Sequence, residues 1–455
     1  MNLLGLIVEY NPFHNGHTYH LNESKRKTGA THSVALMSGN FVQRGEPAIL
    51  DKQSRAEMAI RGGVDLVLEL PTLYACQSAE FFASGAIRIL NSLNCVDTVC
   101  FGSEIGSIDT LYSIAKIFTE EPTEYKNNLK SHLDKGLLFP VARNLALTEY
   151  ISSNNIVLTD KNEDITPKSL AAILNDSNNI LGIEYVKEII KLQSDIKPFT
   201  IKRLKNDYNS KVLSGNISSA TAIRTGLIRN LDSYSSATAT GNNPAESMVD
   251  YEKSKAIVQD ISMAIPQSSY NILKDNLDAN MQIMSDELFF DILKTIVMRD
   301  KNILSDFFEV NEGIENKIFS EIFSAQSQQE LCSAIKSKRY AMTKIKRILN
   351  NILLGITKDD MQIAKNTKSV PYVRVLGFND KGREIIKKIK ENSEVIIVNK
   401  FSNVDYHLGN PEFKTFIETD IKATNIYNSV YLKNAGCTLK GPQDYYVRPF
   451  YLKGK

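Results

Sequence analysis

The chain has 455 residues, of which 42% are hydrophobic and 23% charged, and its formal net charge is +2. These are the proportions of an ordinary soluble globular protein with room for roughly two to four domains. No apolar run reaches membrane-spanning length, and the first residues carry no basic region or cleavage site, so a transmembrane protein is excluded and a cytoplasmic location is expected. The five cysteines, Cys76, Cys95, Cys100, Cys332 and Cys437, are scattered and lack C-x-x-C spacing. They read as reduced thiols and exclude a zinc set or a disulfide framework.

Strand and helix signals alternate over the first hundred residues. Residues 3–8 read as a strand, 17–27 as a helix, 32–37 as a strand and 52–61 as a helix closed by Gly62-Gly63. Strand 64–68, helix 77–92 and strand 97–101 continue the pattern. Short apolar strands interleaved with amphipathic helices predict an α/β domain with a parallel sheet covered on both faces. Its ligand edge lies at the carboxyl ends of the strands, where glycine-bearing loops fall. Residues 105–150 read as helical. Helix patterns follow at 170–174 and 183–192, with 178–182 expected as a loop into the second, and another helix opens within 217–224. The small, polar stretch 235–246 is the best linker candidate. From 247 to 357 the period is helical throughout, and 370–400 returns to strand, helix and strand. The Tyr- and Asn-rich tail gives no clear pattern.

Charge is unevenly placed. Residues 331–400 hold 16 Lys/Arg against 6 Asp/Glu, a local +10 that leaves −8 on the rest of the chain. Such a block predicts a polyanionic partner, nucleic acid above all. Lys336, Lys338, Arg339, Lys344, Lys346 and Arg347 fall in one predicted helix with Tyr340 among them, suited to tracking an RNA backbone.

The chemistry-bearing motifs lie upstream. His14-Asn15-Gly16-His17 follows the first strand, which Pro12 is expected to end. A helix start offers backbone N–H groups and partial positive charge, Gly16 permits close approach, and the imidazoles can donate to phosphate oxygens. By spacing alone the two histidines read equally well as loop and cap residues. His20, one turn on, reads as a helix-surface residue. Ser219, Thr221 and Arg224 form a second candidate phosphate arm, with hydroxyls at a helix start and a planar guanidinium one turn on. Alone this arm is an ordinary capped helix. Arg44 is placed to reach a carboxylate or a phosphate, or to bridge to Glu46 or Glu69.

Together the HNGH turn and the segment Ile217-Ser218-Ser219-Ala220-Thr221-Ala222-Ile223-Arg224 resemble the HxGH nucleotidyltransferases, with Ala220 where that second motif has its second Ser. A longer resemblance runs through Val8 to His17, Met37 to Pro47, Asp65 to Pro71, Phe101 to Glu104 and Asn178 to Tyr185. These segments are similar to the bacterial tRNA(Met) cytidine acetate ligase family, strongly over residues 1–230 and more patchily beyond. The resemblance implies a Rossmann-like parallel-sheet nucleotidyltransferase domain over 1–230, a linker over 231–250, a mainly helical, basic tRNA-binding region over 251–365, and a small α/β C-terminal part over 366–455. It implies activation of acetate by ATP as acetyl-adenylate, and acetylation of N4 of the wobble cytidine of elongator tRNA(Met). His14 and His17 are then the catalytic residues. The nucleotide is implied to contact Ile7, Val8, Glu9, Tyr10, Asn11, Pro12, Phe13, His14, Asn15, Gly16, His17, Thr18, Tyr19 and His20, with Gly102, Asn178, Arg203 and Leu204. Mg²⁺ is expected to arrive with ATP, held by phosphates and water and by no protein cage. Two rival readings, an adenylyltransferase making a dinucleotide cofactor and a tRNA-binding protein with a vestigial nucleotide site, explain the motifs and the basic block only one at a time.

Overall fold

The computed structural model describes residues 1–160, 163–203, 218–228, 261–337, 340–368, 370, 372–404, 411–436 and 441–454. The expected linker, 231–250, lies outside the described residues. Five parallel strands form the first part of the sheet: β1 (Leu3–Val8), β2 (His32–Ser38), β3 (Leu66–Leu70), β4 (Thr98–Ser103) and β5 (Lys197–Lys202). They lie in the order β3-β2-β1-β4-β5. Helices α1 (Asn15–Thr28), α2 (Lys52–Arg61) and α3 (Ala79–Ser92) make the crossovers among the first four strands. Between β4 and β5 the chain makes a helical excursion that returns through α4 (Ser177–Lys191). The strand order reverses between β1 and β4, and in open α/β sheets such a switch point opens a crevice at the carboxyl ends of its strands. The apolar residues of β1, β2 and β3 are almost entirely buried, as expected for strands covered on both faces.

The ends of these elements have local causes. Asp51 caps α2 by accepting from the Gln53 and Ser54 amides at 2.7 and 2.8 Å. α1 ends on Gly29, whose φ of 66° supplies the left-handed turn, with Lys25, Arg26 and Lys27 in its last turn. Two expectations need correction. The third strand begins at Leu66 and runs through Glu69, because Lys52 and Arg374 meet that buried carboxylate. Residues 178–182, expected as a loop, are the first turns of α4, because Glu104 accepts from the Asn178 and Asn179 amides and supplies the helix start from 74 residues upstream.

The C-terminal chain enters the same sheet. β6 (Tyr372–Asn379) pairs antiparallel with β3, Arg374 opposite Glu69. β7 (Ile396–Val398) and β8 (Phe450–Leu452) then pair parallel with β6. The expected division at 366 therefore separates strands of one eight-stranded sheet. Helix α7 (Asp380–Asn392) follows β6, and α8 (Pro411–Tyr431) packs near the end of β3. A buried ionic cluster fastens this join. The Lys52 ammonium lies 2.8 Å from Glu69, 3.0 Å from Asp444 and 2.9 Å from the Thr424 hydroxyl. The Arg374 guanidinium lies 2.8 Å from Asp444 and 3.2 Å from Glu69, and stacks over Phe401. Burial works against the Asp444 carboxylate, but Arg374 and Lys52 hold it below its ordinary pKa. Asp420 next to the cluster, buried and facing Glu69, is raised to about 6.

Candidate active site

The HNGH turn leaves the carboxyl end of β1 at the switch point. His14 has extended backbone and is the cap of α1. Its Nδ1 accepts the Gly16 N–H at 3.0 Å, and the His17 Nδ1 accepts the His14 N–H at 3.3 Å. This is a reciprocal capping box built from two imidazoles. A neutral ring that accepts at Nδ1 carries its proton on Nε2, so both rings hold an N–H donor away from the cap. The rings lie 3.8 Å apart between centroids, with the Tyr10 ring edge-on to His17 at 4.8 Å. Burial, then the positive charges of Arg203 and Arg224, lowers the pKa of His14 to about 3. Burial and the neighbouring His14 push His17 well down. Burial with Arg203 takes His20 to about 4. All three are neutral near pH 7, and His14 and His17 are suited to donating hydrogen bonds without losing the proton.

One expected role changes. The Gly16 N–H is taken by the His14 ring. A side chain at position 16 would bring its Cβ within 2.7 Å of the His14 Cε1. Glycine is required there by the folded-back imidazole, and the imidazoles take over as the donors that the turn presents.

On the β4–β5 side, Glu104 follows β4. Its carboxylate accepts from the Asn178 Nδ2 at 2.6 Å and the Asn179 N–H at 2.9 Å. The Asn179 Oδ1 in turn accepts from the Glu104 and Ile105 amides. Arg203, just after β5, donates to the Asn178 Oδ1 at 3.2 Å. A Cβ on Gly102 would meet the Arg203 Cγ at 3.2 Å, so the glycine lets that side chain cross the strand end. The structure thus brings Gly102, Asn178 and Arg203 together, while Leu204 lies outside the described residues. The sequence marked Glu104 only as part of a motif. A carboxylate directly after a strand, paired with an Asn-Asn step at a helix start, was the signal available for its role.

On the β2 side stands the second arm. Residues 220–228 are helical, and the Ser219 hydroxyl accepts the Ala222 N–H at 3.1 Å as a cap. Arg224 reaches back to the HNGH segment, donating to the Asn11 carbonyl at 2.9 Å and to the Glu46 Oε1 at 3.2 Å, with the Thr221 hydroxyl at 3.4 Å. Glu9, the residue after β1, accepts the Gln43 N–H at 3.0 Å through Oε1, and its own carbonyl accepts from Arg55. Burial raises the Glu9 pKa, and Glu46 adds to the rise, against lowering by Arg224, the Gln43 hydrogen bond and Arg44.

The basic block is divided where one helix was expected. Lys336 follows α5 (Gln328–Ile335) and is exposed, Lys338 and Arg339 lie outside the described residues, and Lys344, Lys346 and Arg347 belong to α6 (Met342–Leu354). A non-helical break at 336–337 and a bend at Tyr340 separate the two helices. Lys346 is engaged within the protein, 2.6 Å from Asp286 and 3.6 Å from Glu46, and Arg347 stands 3.5 Å from Glu309. Gly45, with φ of 74°, packs so tightly on α6 that a Cβ would lie 2.6 Å from the Arg347 nitrogen. Lys344 differs, lying over the Tyr340 ring at 5.0 Å on a half-exposed face.

A parallel sheet with an imidazole-capped helix at its switch point and an arginine arm across it is the arrangement of a nucleotidyltransferase. The family model described as HIGH Nucleotidyl Transferase matches residues 1–440. A tRNA(Met) cytidine acetate ligase of Clostridium perfringens is 44% identical over 454 residues, covering 100% of both chains, and one of Alkaliphilus metalliredigens is 41% identical over 455 residues, covering 100% of this chain and 99% of its own. The crystal structure of Thermotoga maritima TmcAL bound with alpha-thio ATP superposes with a TM-score of 0.85 at 32% identity, and the apo form with 0.87, each covering 100% of both chains. The chain belongs to the tRNA(Met) cytidine acetate ligase family of HIGH nucleotidyltransferases.

Proposed function

We propose that this protein activates acetate with ATP and transfers the acetyl group to N4 of the wobble cytidine of elongator tRNA(Met), releasing pyrophosphate and AMP. A carboxylate oxygen of acetate attacks the α-phosphorus, the bond to the β-phosphate bridging oxygen breaks, and pyrophosphate leaves. Negative charge then grows on the phosphates. The observation that carries the reading is the imidazole pair: two neutral rings at the switch point, each with Nδ1 engaged and Nε2–H available. Preorganised donors of this kind stabilise developing charge, and loss of one costs roughly 10²–10³ in rate.

In this reading the 7–20 segment receives the triphosphate, with Arg224 across from it. Gly102, Asn178, Arg203 and Leu204 receive the adenosine. Ser219 and Thr221 shape the arm, as a helix cap and as a rung for Arg224. Mg²⁺ accompanies ATP as a hard cation on phosphate oxygens and water. Lys336, Lys338, Arg339 and Lys344 face the RNA, while Lys346 and Arg347 anchor α6. The enzyme works in the cytoplasm, on tRNA; no helix among the described residues is long and apolar enough to cross a membrane. The test is incubation with ATP and labelled acetate, with and without tRNA(Met). Label in the tRNA supports the reading, and acetate-independent ATP consumption overturns it.

A further inference from the structure

The sheet order divides the cleft into zones. Asn178 and Arg203 lie on the β4–β5 side of β1, the imidazoles lie over β1 itself, and the loop after β2 carries Gln43 to Glu46 on the other side. That third zone is also the one joined to α6, through Lys346 on Glu46 and through the close approach of Gly45. An acceptor brought by the basic region therefore reaches the phosphates from the β2 side, where two carboxylates flank Arg224.

The two carboxylates are not equivalent. Glu46 lies between two cations, its Oε1 at 3.2 Å from Arg224 and its Oε2 at 3.6 Å from Lys346. Each of its oxygens already faces a cation of the protein, so neither is open to a substrate proton. Glu9 has one oxygen fixed by a backbone N–H and a main chain pinned by Arg55. Its Oε2 accepts no hydrogen bond among the described residues, and the residue is half-buried. A carboxylate anchored at one oxygen and open at the other, next to the phosphate turn, has the geometry of a general base.

Resting on the function proposed above, we propose that Glu9 is the proton acceptor of the second half-reaction. The cytidine N4 attacks the acetyl carbonyl carbon of the mixed anhydride and a C–N bond forms. The C–O bond to the phosphate breaks and AMP departs with that electron pair. The proton lost by N4 passes to the Glu9 Oε2 and from there to water. The electron pair of an aromatic amine is delocalised into its ring, so removal of the proton as the bond forms keeps the tetrahedral adduct from expelling the amine before AMP leaves. Burial makes Glu9 a stronger base than a free carboxylate.

The two half-reactions are measured separately, as acetate-dependent ATP–pyrophosphate exchange and as acetyl transfer to a tRNA(Met) transcript. In Glu9→Gln the amide keeps the side-chain volume and can still accept from Gln43. The ratio of transfer to exchange falls at least about a hundredfold, as loss of a general base does, and Glu9→Asp recovers part of the loss. A ratio within threefold of wild type overturns the assignment, whether or not exchange itself falls. Absence of acetate-dependent exchange in the wild-type enzyme overturns the underlying functional reading, and the role of Glu9 with it.

Discussion

Two polar ensembles lie near the carboxyl end of the parallel strands, and they solve opposite problems. The Lys52–Glu69–Arg374–Asp444 cluster is fully buried, and its ions face one another at hydrogen-bonding distances. The HNGH turn is half-buried and neutral, with donors that the fold leaves open. Paired charge joins distant pieces of chain at a desolvation cost that its partners offset. An uncharged donor held by its own backbone is kept available for charge that appears only during reaction. The lesson is that polarity alone does not mark a site. What marks it is polarity whose hydrogen-bonding capacity the fold has organised and left unused.

The strongest attempt to break the contrast is Lys52→Met. It leaves Glu69 and Asp444 with Arg374 alone, and the urea midpoint should fall by an amount worth about 3–5 kcal/mol, while the remaining folded protein still binds ATP. His14→Ala or His17→Ala should do the reverse. Acetate-dependent exchange should drop roughly 10²–10³-fold, with a stability loss near 1 kcal/mol from the broken cap and tRNA affinity retained in a filter assay. If exchange survives in both histidine variants, the turn is only a cap and the contrast collapses.

A finer division runs through α6. Lys346→Glu places a third acid beside Asp286 and Glu46 and should lower stability by about 1–2 kcal/mol, seen as a lower melting temperature. Lys344→Glu should leave stability within about 0.5 kcal/mol and weaken tRNA binding, with the salt dependence of log Kd reduced by about one. The smallest effect is on pH. His20 is held near 4 against an ordinary 6.5. Between those values the unfolded chain binds more protons, so this histidine's contribution is complete above pH 6.5 and is lost as the pH falls toward 4. Asp420, raised to about 6, acts in the opposite sense over the window from 3.8 to 6. The comparison is therefore between variants. Urea midpoints of His20→Gln should decline less on acidification from pH 6.5 to 4 than those of the wild type.

Much of the parallel sheet was legible because its signals are local. Helix 52–61 has its cap and its closing glycines within about a dozen residues of each other, and it was placed to the residue. The start of α4 was not, because Asn-Asn reads as a turn until Glu104 arrives from a distant strand. The antiparallel pairing of β6 with β3 was equally hidden, since the tail carries no sign of which edge it will cover. In the site, the two histidines and Arg224 stood out only when the HNGH turn and the 217–224 segment were read together, since by spacing alone each reads as an ordinary cap. The division of labour between Lys344 and Lys346 did not, because only tertiary structure brings Asp286 and Glu46 to one lysine and leaves Tyr340 beneath the other.

The antiparallel β6 has a consequence for synthesis. When the ribosome has completed residues 1–365, the HNGH turn, the adenosine side and Arg224 have all been made, yet one side of β3 has no neighbour and the Lys52 ammonium has yet to meet Asp444. An uncovered strand edge is a template for pairing with another chain. The last fifth of the polypeptide therefore acts as a built-in chaperone for the parallel strands, and a nascent chain stalled before β6 should need an external one.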